Sequence, residues 1–415
     1  MDTYRGIAVV LMILWHTTDN WLREDWRSGN TWEVLRLLGG MAAPSFLFLA
    51  GASVALKAIS DERRAMPRAE SIRGIVARGL EIVVLGYVLR FQMWLVDGFG
   101  FRAAGSWRVI VALVVAYALL LVGLRPFAQR PLRALAWLAP GVAAFALGVH
   151  EAMTVLPQTW MSLLRVDVLQ AIGASLVLGA IVGVPLGALG KRPWLALAIG
   201  IGIALCTNFV ADAMPGPLPL PIAGYLAKIT PPPGARAPSL FPLLPWTGYA
   251  FCGAAVGAIW ARASRAHRVT EAVIWLAVIG ALVAALSKEM APWNHELLVA
   301  APWLLPAFRM LYRVGLDLVI GAGALAIVAL AGPDRKLAPL RWLGQTSLLV
   351  YWVHLEPSFG IVATPLKRAL GLAEWGLGFS LLTASMVVVA WVRLGPFQRG
   401  WKRLSMHLDR ESRRP

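Results

Sequence analysis

Long apolar stretches recur along the chain, and the short segments between them hold most of the charged residues. Each stretch is about 18–24 residues long, the length that an α-helix needs to cross about 30 Å of hydrocarbon. The runs are continuous, whereas strands of a membrane β-barrel alternate in polarity over about ten residues. The pattern predicts about 10–12 spanning helices, placed at 4–21, 38–58, 74–96, 107–124, 134–156, 167–189, 193–212, 241–261, 270–287, 311–331, 341–362 and 374–393.

The composition supports a membrane protein. Of the 415 residues, 58% are hydrophobic and 15% are charged, whereas soluble domains contain about 25% charged residues. The sequence shows no internal repeat, so we expect one all-α polytopic domain over residues 1–398, followed by a basic cytoplasmic tail, residues 399–415. Cys206 and Cys252 fall inside apolar runs, which is typical of packing residues.

The net charge of +17 is a topology signal rather than a nucleic-acid signal, because the basic residues cluster in short loops. With twelve spans, five loop clusters fall on one side: Arg63, Arg64 and Arg68; Arg125, Arg130 and Arg133; Lys191 and Arg192; Arg262, Arg265 and Arg268; Arg335, Lys336 and Arg341. The positive-inside rule makes that side cytoplasmic, with both termini inside. We expect a multi-pass protein of a bacterial inner membrane. Membrane lipids are its expected partners, nucleic acid is excluded as a partner, and a homo-oligomer stays open.

The first span holds the most informative polar residues. Arg5 and His16 are eleven positions apart, which places them within about 20° on one helix face and about 16 Å apart along the axis. Asp19 follows His16 by three positions, close enough to contact the imidazole and fix its tautomer. The alternatives are a snorkelling topology anchor for Arg5 and an interfacial polar residue for His16.

A second polar face is predicted in the penultimate span. Ser347, Tyr351 and His354 are spaced by four and three residues, so they share one face of a helix. We expect His354 to lie at a depth similar to that of His16. The alternative is that these side chains form hydrogen bonds between helices and hold the bundle together.

Other ionisable residues lie in the third span. Arg78 and Glu81 are three apart and favour a neutralising pair. Arg90 lies in an apolar run without an adjacent carboxylate, so it needs Asp97 or an anionic ligand as a partner. No two histidines have the helical spacing of metal ligands, so no metal is expected.

Several motifs resemble those of the catalytic-domain family of heparan-α-glucosaminide N-acetyltransferase. In chain order they are Asp2-Thr-Tyr-Arg5-Gly6 with His16, Gly51-Ala52-Ser53, Asp167-Val-Leu-Gln170-Ala-Ile-Gly173, Phe241-Pro-Leu-Leu-Pro245-Trp246 and Gly344-Gln-Thr-Ser347-Leu-Leu-Val-Tyr351-Trp-Val-His354. Arg5 and His16 also match the arginine–ten residues–histidine spacing of the wider transmembrane acyltransferase superfamily. The resemblance implies that acyl-CoA is used on the cytoplasmic side, that an acyl group reaches an acceptor outside, and that His16 is central to catalysis.

We therefore predict an O- or N-acyltransferase with acetyl-CoA as co-substrate and an extracytoplasmic glycan as acceptor. His16 acts as base or nucleophile, Asp19 orients it, and His354 or Tyr351 stabilises the oxyanion or binds the acceptor. The predicted CoA-phosphate ligands are Arg5, Arg73 and Arg78. The predicted substrate-binding residues are Ser347, Tyr351, Arg90 and Trp246. Two alternatives are a secondary transporter of a small amphipathic or sugar-like solute, disfavoured by the lack of a repeat, and a non-catalytic membrane scaffold.

Overall fold

The computed structural model describes residues 1–96, 106–155, 160–214, 216, 218–229, 237–290, 301–331 and 337–395. The described residues form seventeen α-helices and no extended strand, only two isolated β-bridges. The first nine helices are α1 (Asp2–Trp21), α2 (Gly29–Gly40), α3 (Ala42–Arg63), α4 (Arg68–Val96), α5 (Ser106–Leu124), α6 (Pro131–Val155), α7 (Trp160–Leu164), α8 (Val168–Leu178) and α9 (Pro193–Leu205). The remaining eight are α10 (Thr207–Asp212), α11 (Leu220–Leu226), α12 (Leu243–Arg265), α13 (Val269–Met290), α14 (Leu305–Ala331), α15 (Ala338–Gln345), α16 (Ser347–Phe359) and α17 (Leu372–Leu394).

The predicted all-α polytopic class is confirmed. Among the described residues, seven helical segments are long and apolar enough to cross a membrane, namely 29–63, α5, α6, α12, α13, 302–330 and α17. Helix α1 is not one of these seven segments. It is 20 residues long, but it carries the polar residues Asp2, Arg5, His16 and Asp19. Helices in lipid expose apolar side chains, and Leu132, Leu286 and Leu377 are each more than 60% exposed.

Four predicted spans are broken where the sequence suggested continuous helices. The segment 193–212 is divided at Cys206, between α9 and α10. The segment 38–58 is interrupted at Met41, between α2 and α3. The segment 167–189 is α-helical only to Leu178, continues as a π-helical turn over Gly179–Gly183 and then unwinds. The segment 341–362 is split at Thr346, which separates α15 from α16. Apolar length alone does not reveal such breaks, because mostly apolar sequence continues on both sides of each of them.

The chain divides into two compact units. The first comprises residues 1–45 and 320–415, and the second comprises 46–319. In the first unit, α1 packs against α2, α15, α16 and α17. Glycine allows the closest of these contacts, since a β-carbon at Gly6 would collide with the carbonyl of Leu340, and one at Gly344 with the carbonyl of Asp2. The sequence thus brings α1 within backbone contact of a helix more than 300 residues away.

In the second unit, α8 packs against α4 and α12, α9 packs against α12, and α5 against α6. Small residues again set the spacing, as is usual between membrane helices. Gly79 and Gly173 face one another at the α4–α8 crossing, and Gly253 lies against the backbone of Phe48 in α3.

Adding a methyl group at Gly253 should destabilise the fold. A β-carbon there would collide with the Phe48 carbonyl, so we expect Gly253→Ala to lower the free energy of unfolding by about 1–3 kcal/mol. The matched control is Gly202→Ala in α9, where a β-carbon has open space and helix propensity favours alanine by about 1 kcal/mol. Unfolding midpoints of the purified variants in detergent measure both effects. Equal midpoints would show that the α3–α12 contact is looser than described.

Candidate active site

The central feature of the first unit is a pair of histidines, one from α1 and one from α16. Nδ1 of His16 lies 2.7 Å from Nε2 of His354. The planes of the two imidazole rings are nearly parallel, with an angle of 4° between them, and the ring centroids are 5.0 Å apart. His354 is fully buried and His16 is half-buried. The predicted common depth of these two residues is therefore confirmed.

The backbone determines which nitrogens carry protons when the pair is neutral. Nδ1 of His354 lies 2.8 Å from the carbonyl oxygen of Val350, and a carbonyl only accepts, so this Nδ1 donates. Nε2 of neutral His354 then has a lone pair and must accept from Nδ1–H of His16. It follows that Nε2 of His16 also carries a lone pair. That atom makes no hydrogen bond to any residue that the structure describes, which leaves it available as a base or nucleophile.

Neighbouring groups hold the pair in place. Nδ2 of Asn20 and Nε1 of Trp21 both donate to the carbonyl oxygen of Ser358, at 2.7 and 3.2 Å, which fastens the end of α1 to the end of α16.

The ring of Phe359 meets His16 edge-on, with 5.1 Å between centroids. Tyr351 meets His354 in the same manner at 5.8 Å. Aromatic rings on both sides restrict the imidazoles to one orientation.

Asp19 does not contact His16 as the helix spacing suggested. Its carboxylate faces Nη1 of Arg27 at 4.0 Å and is about half exposed. The reason is the end of α1, where Arg27 donates to the free carbonyls of Thr18 and Leu22 and so lies beside Asp19. His354 takes the orienting position instead. A catalytic role for Asp19 stays a prediction.

The three arginines predicted to bind CoA phosphates lie in different surroundings. Arg5, in the first unit, pairs with Asp2 at 3.2 Å. Arg78, in the second unit, forms the neutralising pair with Glu81, at 2.6 Å and largely exposed. Arg73 is half-buried, and its Nε has no hydrogen-bond partner among the described residues. Binding of CoA by these residues stays a prediction.

Arg90 has a protein partner. It is 8% exposed, and its Nη1 lies 3.7 Å from Oδ2 of Asp167. Asp167 also caps α8, since its other carboxylate oxygen accepts from the backbone N–H of Val168, while Gln170 accepts from the Asp167 backbone to complete a capping box. The predicted partner Asp97 lies outside the described residues. One carboxylate therefore neutralises Arg90 and starts α8.

Removing the charge of Asp167 should destabilise the second unit. Asparagine keeps a capping oxygen but leaves buried Arg90 without a counter-ion, so Asp167→Asn should lower the free energy of unfolding by about 2 kcal/mol. The double variant Asp167→Asn with Arg90→Met should recover much of this loss. Exposed Asp212 provides the control Asp212→Asn. Thermal unfolding of the unchanged protein and the three variants measures these differences in stability. A double variant no more stable than Asp167→Asn would contradict the pairing of Arg90 with Asp167.

The other predicted substrate-binding residues are placed as follows. Trp246 lies between Phe241 and Tyr249 in an aromatic cluster, with centroid distances of 4.7 and 5.6 Å. Ser347 begins α16, on the helix that carries Tyr351 and His354. The structure brings Ser347, Tyr351, His354 and His16 into the first unit, while Arg90 and Trp246 belong to the second. Their contacts with substrate stay predictions.

Sequence analysis missed Val350 and Arg27, and it named Asp167 in a motif without recognising it as the partner of Arg90. Val350 contributes its backbone carbonyl, and Arg27 donates back to carbonyls at the end of the preceding helix α1. Neither contact leaves a signal in the pattern of apolar and polar residues. Asp167 did leave one, because aspartate three residues before Gln170 is a helix-start signature. Among the described residues, no three His, Cys, Asp or Glu side chains group as metal ligands.

Comparison with known families defines the class of protein as a membrane acetyltransferase. The model of the family described as heparan-alpha-glucosaminide N-acetyltransferase, catalytic, matches residues 1–101 and 91–286, which together are 286 of the 415 residues. The chain belongs to this family, and the resemblance seen in its motifs is confirmed. Membership implies in general that acetyl-CoA is the co-substrate. A search of characterised proteins gave no match. His16 lies inside the matched residues and His354 outside them.

Proposed function

We propose that the chain transfers an acetyl group from cytoplasmic acetyl-CoA to an extracytoplasmic glycan, with Nε2 of His16 as the catalytic base. The observation that carries the proposal is the hydrogen bond of 2.7 Å between His16 and His354. When both imidazoles are neutral, this bond places the proton of His16 on Nδ1 and leaves a lone pair on Nε2, which is what a base for an amine or hydroxyl needs.

The chemistry needs only a proton transfer and an acyl transfer. The acceptor oxygen or nitrogen attacks the thioester carbonyl while Nε2 of His16 takes its proton. The tetrahedral intermediate then breaks its carbon–sulfur bond, and the imidazolium returns the proton to the departing CoA thiolate. The products are the acetylated acceptor and free CoA, and His16 regains its starting form.

His354 supports His16 as a positioning residue. Its Nε2 accepts the Nδ1 proton of His16, which fixes the reactive tautomer, as the carboxylate does in a Ser-His-Asp triad. In its neutral form His354 can also take up that proton when His16 becomes cationic, with Val350 stabilising the resulting charge through its carbonyl. The positive charge is thereby spread over two rings.

The same nitrogen supports an acetyl-histidine intermediate. Nε2 of His16 would then attack the thioester itself and pass the acetyl group to the acceptor in a second step. Intact-mass measurement after mixing protein with acetyl-CoA alone separates the two routes, because an acetylated protein accumulates only in the covalent one.

The sidedness of the reaction follows from charge. The basic loops predict that α1 starts at the cytoplasmic face. His16 belongs to the last third of α1, so this proposal puts it toward the outer face. Family membership favours acetyl transfer over transport of a solute.

The direct test compares envelope glycans from cells that contain or lack the full chain in a bacterial inner membrane. Mass spectrometry should show an acetyl increment that disappears with the chain and returns when the gene is restored. Identical acetylation in both cell types would overturn the proposed acceptor. Failure of the purified protein to release CoA in the presence of such glycans would overturn the acetyl transfer itself.

A further inference from the structure

A cavity of about 430 Å³ opens in the second unit, between the end of α3, the start of α4 and the turn before α9. Its volume lies within the range of about 300–1,000 Å³ that is usual for small-molecule sites. One wall is apolar, formed by residues such as Ile59, Val184 and Leu189. All of the residues that line this cavity belong to the second unit, whereas the two histidines belong to the first.

The rim of the cavity is strongly basic. Arg68, Lys191 and Arg192 line it, and Glu62 is the one acidic side chain among its lining residues. Glu62 pairs with Lys191 at 2.9 Å, so the two arginines keep an excess of positive charge. The loops that supply these residues, 63–68 and 191–192, are ones that the positive-inside rule places in the cytoplasm.

Two helix N-termini add to this field. Arg68 is the first residue of α4 and Arg192 directly precedes α9, a helix of 13 residues. Each N-terminus contributes about half a positive charge and free backbone N–H groups. Behind the cavity, Nη2 of Arg262 donates to the carbonyls of Gly190 and Lys191, at 3.0 and 2.7 Å. This contact holds the basic turn in place without a ligand.

We propose that this cavity binds the phosphate groups of an anionic ligand, which contact Arg68, Lys191 and Arg192 while an apolar part of the ligand packs on Ile59 and Leu189. The chemistry fits the 3′-phosphoadenosine diphosphate half of CoA, whose adenine supplies the apolar part. It also fits the head group of an anionic phospholipid. The choice of CoA rests on the proposed function, whereas the phosphate site does not.

The experiment uses the full chain in lipid nanodiscs made of phosphatidylcholine alone, with adenosine 3′,5′-bisphosphate as the probe. Titration calorimetry should detect binding to the unchanged protein. The double variant Lys191→Gln with Arg192→Gln should weaken it by at least about tenfold, since it removes two charge-assisted contacts. The matched control is Arg130→Gln with Arg133→Gln, which removes two exposed charges at the start of α6, a region also predicted to be cytoplasmic.

A second variant and a second ligand make the outcomes distinct. Ala58→Phe fills the cavity without changing charge and should also weaken binding, with unfolding midpoints confirming that each variant is folded. If the affinity for the bisphosphate is the same in the variants as in the unchanged protein, the same proteins are placed in nanodiscs containing phosphatidylglycerol. Selective loss of co-purified phosphatidylglycerol from the cavity variants would support the site with a lipid as its ligand.

The proposal is overturned if cavity and control variants do not differ toward either ligand. A failure of the proposed function looks different: bisphosphate binding would persist in a protein that transfers no acetyl group.

Discussion

Replacing His16 with asparagine is expected to slow acetyl transfer by about 10²- to 10⁴-fold, the usual contribution of a positioned base. The amide nitrogen of asparagine occupies nearly the place of Nδ1, so it can still donate to Nε2 of His354, which lies 2.7 Å from Nδ1 in the native pair. Only the free Nε2 is lost. The substitution therefore separates the base from the contact that joins α1 and α16.

The measurement follows labelled acetyl from acetyl-CoA into glycans of membranes isolated from cells without the chain. The matched control is His150→Asn, which changes an exposed histidine near the end of α6. Both variants should unfold near the midpoint of the unchanged protein. A rate for His16→Asn within a few-fold of the control would remove His16 from the mechanism.

Replacing His354 with leucine is expected to lower kcat by about 10²-fold, because His16 loses the acceptor that fixes its tautomer. Glutamine at the same position should recover most of the rate, since its side-chain oxygen reaches the place of Nε2 and accepts the same hydrogen bond. The KM for acetyl-CoA should stay close to that of the unchanged protein in both variants, as His354 is fully buried.

Comparing the two variants distinguishes positioning from packing. A purely structural role predicts that leucine, the more apolar residue, supports the bundle at least as well as glutamine. The order of activity should therefore oppose the order of stability, with glutamine more active and leucine no less stable. If leucine were as active as glutamine, the hydrogen bond to His16 would have no part in catalysis.

The sequence predicted the all-α membrane fold because hydrocarbon imposes a length and a polarity on each span. It also identified His16 and His354, since ionisable groups in spans are rare and demand a partner. What it did not supply was that partner. Helix spacing favoured Asp19 as the partner of His16, but spacing describes the residues of one helix only. Arg27 binds the end of α1, and Asp19 faces this arginine instead of His16.

Long-range pairs were beyond the sequence for a physical reason. Periodicity places a residue on a face but does not specify which helix covers that face. His16 and His354 are 338 positions apart, and Arg90 and Asp167 likewise lie on different helices. Gly6 and Gly344 permit close contacts of this kind, but their role can be recognised only when the backbone that lies opposite them is known.

The first unit is assembled from two segments that are far apart in sequence, residues 1–45 and 320–415, and this affects how the protein is made. A ribosome that adds about 5–20 residues per second needs roughly 20–70 s to proceed from His16 to His354. During that interval α1 must wait in the bilayer for α15 to α17. A chain that has not yet reached His354 therefore has no paired imidazole, and the contact between the two histidines forms only after more than 300 further residues have been added to His16.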